Sequence, residues 1–245
     1  MRYFLKISFD GTRYHGWQLQ ANAHSVQAEI DRALSILLKT EINTAGCGRT
    51  DTGVHARVYF LHFDVAEPVN PASDFIHHLN SILPKDIAAH QLTIVNDKFH
   101  ARFDATSRTY EYRMYHSKNP FLNASAWFYP YELDPEKMNA FAQILLEYSD
   151  FASFAKSRTQ TKTSECKITY ARWSLEGNEL VFRITANRFL RNMVRAIVGT
   201  LVQAGRDRLD EKSFREILDS RDRQDAGPSV PAHGLYLTDV TYPFL

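Results

Sequence analysis

The sequence is poor in cysteine and contains no long hydrophobic run. Its 245 residues include two cysteines, Cys47 and Cys166, which lie far apart and belong to no Cys-x-x-Cys pair. This excludes a disulfide framework and a zinc ribbon, and it fits a reducing compartment. No apolar run approaches the roughly 20 residues that a membrane-spanning helix requires, and the charges of Arg2 and Lys6 come too early for a signal peptide. The sequence therefore predicts a cytoplasmic protein that does not enter the membrane.

Common motifs of metal and cofactor chemistry are missing as well. The sequence contains no His-Glu-x-x-His, no phosphate-binding Gly-x-x-x-x-Gly-Lys, no Rossmann fingerprint after the first strand and no Gly-x-Ser-x-Gly elbow. His77 and His78 are neighbours, so their side chains cannot point the same way on a helix or a strand. We therefore expect no bound metal, no nucleotide cofactor and no serine hydrolase activity.

Net charge is also nearly absent, but the charges are unevenly distributed. The chain has 29 Lys and Arg against 28 Asp and Glu, a formal charge of +1. Basic residues nevertheless concentrate in three segments, namely Arg183, Arg188, Arg191, Arg195 and Arg206; Lys98, His100, Arg102, Arg108 and Arg113; and Lys156, Arg158, Lys162, Lys167 and Arg172. Such segregation suits a protein that binds a polyanion on one face, and a solvated surface explains it equally well.

Hydrophobic periodicity predicts strands and helices along the whole chain. Alternating apolar residues predict strands at 2–9, 57–65, 88–96, 107–115, 168–175, 180–185 and 235–242. Apolar residues at helical spacing predict helices behind Ser25 and at 73–81, 134–147, 188–202 and 211–220. Asn187 is expected to cap the helix at 188–202 and Gly205 to end it. Residues 42–56 are rich in Gly, Thr and Asn and are expected to form a loop.

The Asn119-Pro120 turn marks the expected domain boundary, which gives domains 1–119 and 120–245. Both halves mix strands and helices in similar proportion, so we expect an α+β fold with two related sheets. No internal sequence repeat is visible to support a duplication.

The loop from Gly46 to Ala56 is the most informative stretch. Its three glycines allow sharp turns and a close approach of the backbone to a ligand. Arg49 and Asp51 stand two residues apart in this polar loop, directly before a predicted strand. Asp51 is therefore a candidate nucleophile or base, and the alternative is an aspartate that only caps a turn.

Three arginines of the predicted helix at 188–202 follow an i, i+3, i+7 spacing and should share one face. An arginine beside a carboxylate keeps it ionised and fixes its orientation. These residues, Arg188, Arg191 and Arg195, are therefore expected either to hold such a carboxylate or to form a solvated or phosphate-binding face.

Aromatic and basic residues interleave between Phe99 and Arg113. Aromatic rings stack on unpaired bases and arginine binds phosphate, so RNA with an accessible base is the natural partner. The alternative is that these rings form core or cross-strand pairs.

Six motifs, in order over nearly the whole chain, resemble the tRNA pseudouridine synthase A (TruA) family. They occupy residues 9–18, 48–56, 80–87, 99–112, 189–199 and 231–237. Thr52 is a departure, because the family's loop usually has alanine there. The resemblance implies isomerisation of uridine to pseudouridine at positions 38, 39 and 40 of the tRNA anticodon stem-loop. It also implies that each chain has two RNA-recognition-like α+β domains, whose mixed sheets meet over a central basic cleft. The resemblance further implies a homodimer that needs no cofactor.

The resemblance assigns a role to five residues. Asp51 aligns with the family's essential aspartate, and Arg49 with the arginine that helps to displace the target base. Tyr110 matches the tyrosine that packs on the uracil. Arg195 matches the basic residue that pairs with the aspartate, and Leu235 an apolar residue of the uracil pocket. Further RNA contacts are expected from Arg102, Arg108, Arg188 and Arg191.

Two other functions fit the same residues. An RNA-binding module without catalysis would use the aromatic and basic residues but would not need Asp51. A nucleosidase would break the same glycosidic bond and release free uracil. Within the isomerase interpretation, Asp51 can attack C1′ or remove a proton from C2′, and the sequence does not choose between them.

Overall fold

A computed structural model describes residues 1–69, 73–156 and 163–245. The chain forms two compact units, one from residues 1–106 together with 237–245 and the other from residues 107–236. The expected boundary at the Asn119-Pro120 turn falls inside the second unit. Strands and helices are mixed throughout, in agreement with the expected α+β class.

None of the helices in the described part of the chain combines the length and the apolar character needed to cross a membrane.

The first unit is built on three long antiparallel strands and two helices. Its elements are β1 (Arg2–Phe9), α1 (Val26–Leu38), β2 (Ala45–Gly46), β3 (His55–Asp64), α2 (Ser73–Ile82) and β4 (Ile87–Val95). β1 pairs with both β3 and β4, which gives the order β4-β1-β3, and the short β2 pairs with β3 outside this order. The strands and helices expected here are confirmed, with ends that shift by one or two residues.

Helix α1 follows its sequence signals closely. The Ser25 hydroxyl accepts a hydrogen bond from the backbone N–H of Ala28, and Glu29 lies in the first turn. Residues at helical spacing along one face of α1 are buried, including Val26, Ile30 and Leu34. The expected cap and apolar face of this helix are both confirmed.

The end of the chain completes the core of the first unit. The Phe4 ring contacts Tyr242 and Phe244 edge-on, with centroids 5.4 and 5.5 Å apart. Phe244 also stacks on Phe99 at 3.8 Å. Burial of these large rings supplies hydrophobic stabilisation that residues 1–106 alone would lack.

The second unit is built on three further long strands and three helices. Its elements are β5 (Ser107–Tyr115), β6 (Trp127–Phe128), α3 (Pro135–Ile144), β7 (Ile168–Glu176), β8 (Glu179–Ala186), α4 (Met193–Gly205) and α5 (Glu211–Ser220). β8 pairs with both β5 and β7, and β6 adds to β5 in parallel. A last strand, β9 (Leu235–Thr241), begins in this unit and ends in the first.

The prediction that a helix begins at residue 188 is wrong. Helix α4 begins at Met193, after Asn192, whose φ of 68° is left-handed and cannot belong to a right-handed helix. The Asn187 side chain does not cap this helix. Its oxygen instead accepts hydrogen bonds from the backbone N–H groups of Lys167 and Arg188, at 2.7 and 2.9 Å.

The later start of α4 changes the expected arginine face. The backbone oxygen of Arg191 accepts from the N–H of Lys156 at 3.0 Å, which holds this segment away from helical geometry. Arg188 and Arg191 precede the helix, and only Arg195 lies within it. The three side chains therefore do not share a helical face.

Asp31 of α1 carries a carboxylate in a poorly solvated position. One of its oxygens accepts from the backbone N–H and the hydroxyl of Thr44, at 3.1 and 2.6 Å. Burial nevertheless dominates and raises the pKa of Asp31 to about 6. A buried charge is thus present on α1 at neutral pH.

We expect Asp31→Asn to stabilise the protein at pH 8 by on the order of 1–2 kcal/mol. The folded pKa lies above the unfolded value of about 3.9, so the stability present below pH 4 is lost as the pH rises through 6. The amide keeps an oxygen for Thr44 and carries no charge. Thermal unfolding at pH 8 and pH 4.5 measures the effect, with the exposed Asp239→Asn as the control. If the difference in stability between Asp31→Asn and wild type is as large at pH 4.5 as at pH 8, the raised pKa of Asp31 is contradicted.

Candidate functional site

Asp51 lies at the centre of a loop that joins β2 to β3. This segment, residues 47–54, is called the Asp51 loop below. The N–H of Cys47 donates to the Phe60 carbonyl at 2.8 Å, and the N–H of Val54 donates to the Asp51 carbonyl at 3.2 Å. Gly53 closes the turn with a φ of 77°, which glycine adopts without steric cost. Asp51 is half-buried in this loop.

The segment 10–17 packs against the Asp51 loop, backbone to backbone. The N–H of Trp17 donates to the Thr50 hydroxyl at 3.1 Å, and the N–H of Gly53 donates to the Tyr14 carbonyl at 3.2 Å. A Cβ on Gly16 would lie 2.2 Å from the Thr50 carbonyl oxygen. Two of the six motifs thus form one structural piece around Asp51.

Gly11 makes a second close approach of the same kind. A Cβ on Gly11 would lie 2.0 Å from the Val54 carbonyl oxygen. The N–H of Gly11 lies 3.2 Å from Nδ1 of His55, and an Asp10 oxygen lies 3.1 Å from the same nitrogen. His55 is buried, so its imidazole fills the space between the segment 10–17 and the start of β3.

An aromatic pair supports the base of the Asp51 loop. The rings of Trp17 and Tyr59 stack with centroids 4.3 Å apart, and both are almost fully buried. The Tyr59 hydroxyl donates to the Gly48 carbonyl. A Cβ on Gly46 would overlap the Tyr59 hydroxyl and the Trp17 ring. These contacts fix the point at which the loop leaves β2.

Gln27 is a supporting residue that the sequence did not reveal. Its amide oxygen accepts from the N–H of Leu19 and the side chain of Gln18, at 2.9 and 3.0 Å. Its amide nitrogen donates to the Thr44 carbonyl at 2.7 Å. Its position in α1, directly after the apolar Val26, was the only sequence signal for burial of its side chain. The hydrophobic pattern does not predict the hydrogen-bond partners of a buried amide.

Tyr14 ties the segment 10–17 to the motif at 80–87. Its hydroxyl donates to Asp86 at 2.6 Å, and Arg13 pairs with the other oxygen of Asp86 at 2.8 Å. Burial and the neighbouring carboxylate raise the pKa of Tyr14 well above its usual value, so it stays protonated. Tyr14 is a structural donor and not a candidate base.

Arg49 and Asp51 belong to the first unit, and the other three candidates to the second. Tyr110 lies on β5 opposite Ile184 of β8, and its ring meets Phe189 edge-on at 5.1 Å. Two residues along the same strand face, the Tyr112 hydroxyl donates to the Pro231 carbonyl at 3.0 Å. This face of β5 is therefore anchored to the segment 230–235.

Arg195 and Leu235 are tied to that same segment. Nε of Arg195 donates to the Val230 carbonyl at 2.7 Å, and the N–H of Val230 donates back to the Arg195 carbonyl at 3.2 Å. A Cβ on Gly199 would lie 1.8 Å from the Pro228 carbonyl oxygen, so the chain runs directly along α4. Leu235 is buried at the start of β9. Arg195 and Leu235 are thus positioned at residues 230–235 of the second unit, and Tyr110 lies on the strand that Tyr112 ties to the same segment.

The candidate RNA-binding arginines fall into two groups. Arg102 lies on an exposed loop of the first unit, with its guanidinium carbon 5.7 Å from the Phe103 ring centroid. Arg108 donates to the Asn187 carbonyl at 2.8 Å, and the N–H of Arg188 donates to the Asn187 side chain. Arg191 is exposed just before α4.

Parts of two basic clusters converge on this second group. The backbone bonds of Lys156 to Arg191 and of Lys167 to Asn187 bring residues of two clusters together. Arg158 and Lys162 lie outside the described residues.

Two arginines of the basic clusters are internal and not available to a polyanion. Arg183 binds Glu111 at 2.8 Å and also Glu176, and Arg113 binds Glu179 at 3.3 Å. Glu111 is buried beneath them. Their charges are therefore compensated within the β5-β8-β7 sheet.

Within the ranges 1–69, 73–156 and 163–245, no three His, Cys, Asp or Glu side chains lie close enough together to hold a metal ion.

Comparison with known proteins identifies close relatives over the whole chain. The sequence model of the tRNA pseudouridine synthase family matches residues 6–104 and 142–243. The tRNA pseudouridine synthase A of Parabacteroides distasonis is 48% identical over 242 residues, which cover 99% of this chain and 96% of the relative. The enzymes of the same name from Porphyromonas gingivalis and Bacillus subtilis are 45% and 38% identical, with 99% of this chain and 97% and 99% of each relative covered.

We expect Gly16→Ala to lower the free energy of unfolding by about 2 kcal/mol or more. The positive φ of 87° and the nearby Thr50 carbonyl both oppose a side chain there. Gly48→Ala is the matched control, because a Cβ at Gly48 meets no atom within 4 Å, and its effect should stay within about 0.5 kcal/mol. Urea denaturation of both variants measures the difference. Equal losses would show that the close approach at Gly16 does not constrain the loop.

Proposed function

Because the chain belongs to the tRNA pseudouridine synthase family and is an isomerase of that family, we propose that it converts uridine to pseudouridine at positions 38, 39 and 40 of the tRNA anticodon stem-loop. The observation that carries the proposal is the Asp51 loop, held in one conformation by the segment 10–17 in a chain that matches tRNA pseudouridine synthase A along its length. A rigid, partly exposed carboxylate is what a reaction at the ribose requires.

Asp51 is the proposed catalytic residue. In this reaction the N1–C1′ bond breaks, the uracil turns, and a C5–C1′ bond forms while the C5 proton leaves and N1 gains a proton. No water is consumed, so the paired carboxylates of a glycoside hydrolase are not needed. Asp51 acts either by attack on C1′ or by removal of a C2′ proton to give a glycal.

Four further residues are proposed to bind the substrate. Arg49 is exposed on the Asp51 loop and helps to displace the target uridine, whose extrusion costs a few kcal/mol. Tyr110 stacks on the uracil and retains it after the N1–C1′ bond breaks. A phenol with a usual pKa of about 10 is a poor base, so Tyr110 needs help if it removes the C5 proton.

Leu235 and Arg195 are the other two proposed binding residues. Leu235 provides an apolar wall for the uracil, which its burial at the start of β9 supports. Arg195 is the proposed partner that pairs with Asp51 and orients its carboxylate.

The wider setting is also proposed from the family. Arg102, Arg108, Arg188 and Arg191 are the proposed contacts to the tRNA backbone. The protein is proposed to act in the cytoplasm as a homodimer without a cofactor, in two RNA-recognition-like domains over a basic cleft. Sedimentation of the free protein checks the dimer directly.

We expect the purified protein to release tritium from unmodified tRNA labelled at C5 of uridine, in buffer without cofactor or added metal. Asp51→Asn keeps the shape of the side chain but removes its negative charge, and it should lower the rate by roughly 10³-fold or more. The matched control is Asp219→Asn on the exposed surface of α5, which should release tritium at the wild-type rate. Sequencing of the product locates the modified positions.

The alternatives give different results in the same assay. Free uracil among the products would identify a nucleosidase. Tight tRNA binding by wild type and Asp51→Asn without tritium release by either would identify an RNA-binding module. Release that survives in Asp51→Asn would remove Asp51 from the reaction.

A further inference from the structure

Phe103 is an exposed aromatic residue in an otherwise well-anchored loop. Its exposed fraction is 74%, the second largest among the large hydrophobic side chains of the described residues. Single exposed apolar residues are common on protein surfaces, so exposure alone indicates nothing. What distinguishes Phe103 is the set of contacts that holds its loop and its ring in place.

The loop at 99–104 is tied down by hydrogen bonds to buried groups. The N–H of Ala101 donates to Nδ1 of His62 at 3.1 Å, and the Ala101 carbonyl accepts from the Tyr242 hydroxyl at 2.6 Å. The Arg2 guanidinium donates to the Phe99 carbonyl at 2.8 Å. The loop is therefore ordered before any ligand arrives, which lowers the entropic cost of binding.

A column of rings connects Phe103 to the core of the first unit. Phe103 packs on His100 at 4.4 Å, His100 on His62 at 4.5 Å, and His62 on Phe4 at 5.9 Å. Burial lowers the pKa of His62 to about 4, and that of His100 is also lowered, so both rings are neutral at pH 7. The outer face of Phe103 is thus supported from below by uncharged aromatic rings.

Arg102 adds a positive charge beside this ring. Its N–H donates to Nδ1 of His100 at 3.0 Å, and its guanidinium lies by Phe103. A flat aromatic face next to a guanidinium matches a nucleobase and its phosphate, because the base stacks and the arginine meets the anion. A protein partner would gain little apolar contact from a single ring with the Arg102 guanidinium over it.

We propose that Phe103 is a stacking platform for an unpaired nucleobase of the substrate RNA other than the uridine that is modified. The proposal rests on the proposed function only in taking tRNA as the ligand. It adds a second contact to an unpaired base besides the one assigned to Tyr110. It also gives Arg102 a defined neighbour, the phosphate of the stacked nucleotide.

Equilibrium binding of unmodified tRNA to the full-length protein tests the platform. Phe103→Ala should weaken binding by roughly 5- to 150-fold, the usual loss for one stacked base, while Phe103→Tyr keeps the ring and stays near wild type. The matched control is Phe121→Ala, because Phe121 is 92% exposed and belongs to the second unit. Equal losses for Phe103→Ala and Phe121→Ala, or no loss for Phe103→Ala, would overturn the proposal.

A fluorescence experiment gives a readout that a merely structural role would not move. Phe103→Trp places an indole on the platform, and we expect tRNA to quench its added emission whereas a fully paired RNA duplex leaves it unchanged. Quenching that depends on protein concentration without RNA would assign Phe103 to contacts between copies of this chain. Since binding requires no turnover, Asp51→Asn protein serves equally well. A negative result for stacking on Phe103 would therefore not affect the tritium-release result. A negative tritium-release result would likewise not affect the binding test of Phe103.

Discussion

The close contact of two backbone segments is the constraint on which the candidate site depends. Gly11 and Gly16 let the segment 10–17 approach the carbonyl groups of Val54 and Thr50 within distances that no side chain would permit. The Asp51 loop is consequently enclosed by backbone and needs few side chains of its own to hold its shape. A loop with this support loses little conformational entropy when a substrate binds, which is the physical basis for positioning a single carboxylate.

Local patterns predicted most of the secondary structure because most of these elements obey local rules. Helix α1 has its cap at Ser25 and a clean apolar face, and α5 (Glu211–Ser220) has the bounds that its pattern predicts. The predicted start of α4 was wrong because the spacing of apolar residues remains helical across Asn192, whereas the backbone becomes helical only after this residue. Long-range hydrogen bonds from Lys167 and Lys156 decide that boundary, and a window of neighbouring residues contains no trace of them.

The candidate site was predicted as a set of motifs but not as an assembly. The motifs identified Asp51 and Arg49 as candidate site residues. They also included the segment 10–17, but they did not predict that this segment packs against the Asp51 loop. The roles of Gln27 and His55 became visible only in the structure, since their partners are separated from them by 8 to 45 positions in the sequence. A hydrophobic pattern can indicate that an amide or imidazole is buried, but it does not specify the hydrogen-bond partners that stabilise the buried group.

Charge illustrates the same distinction between composition and structure. A net charge of +1 would argue against a polyanion partner if all charges were equally available. In the second unit, however, Arg113 and Arg183 are used internally by three glutamates of the sheet. Arg108 and Arg188 are instead gathered at Asn187, with the backbone N–H of Lys167 bound to the same side chain. A nearly neutral chain can thus bring basic residues of different segments together, while three of its glutamates bind arginines within the sheet.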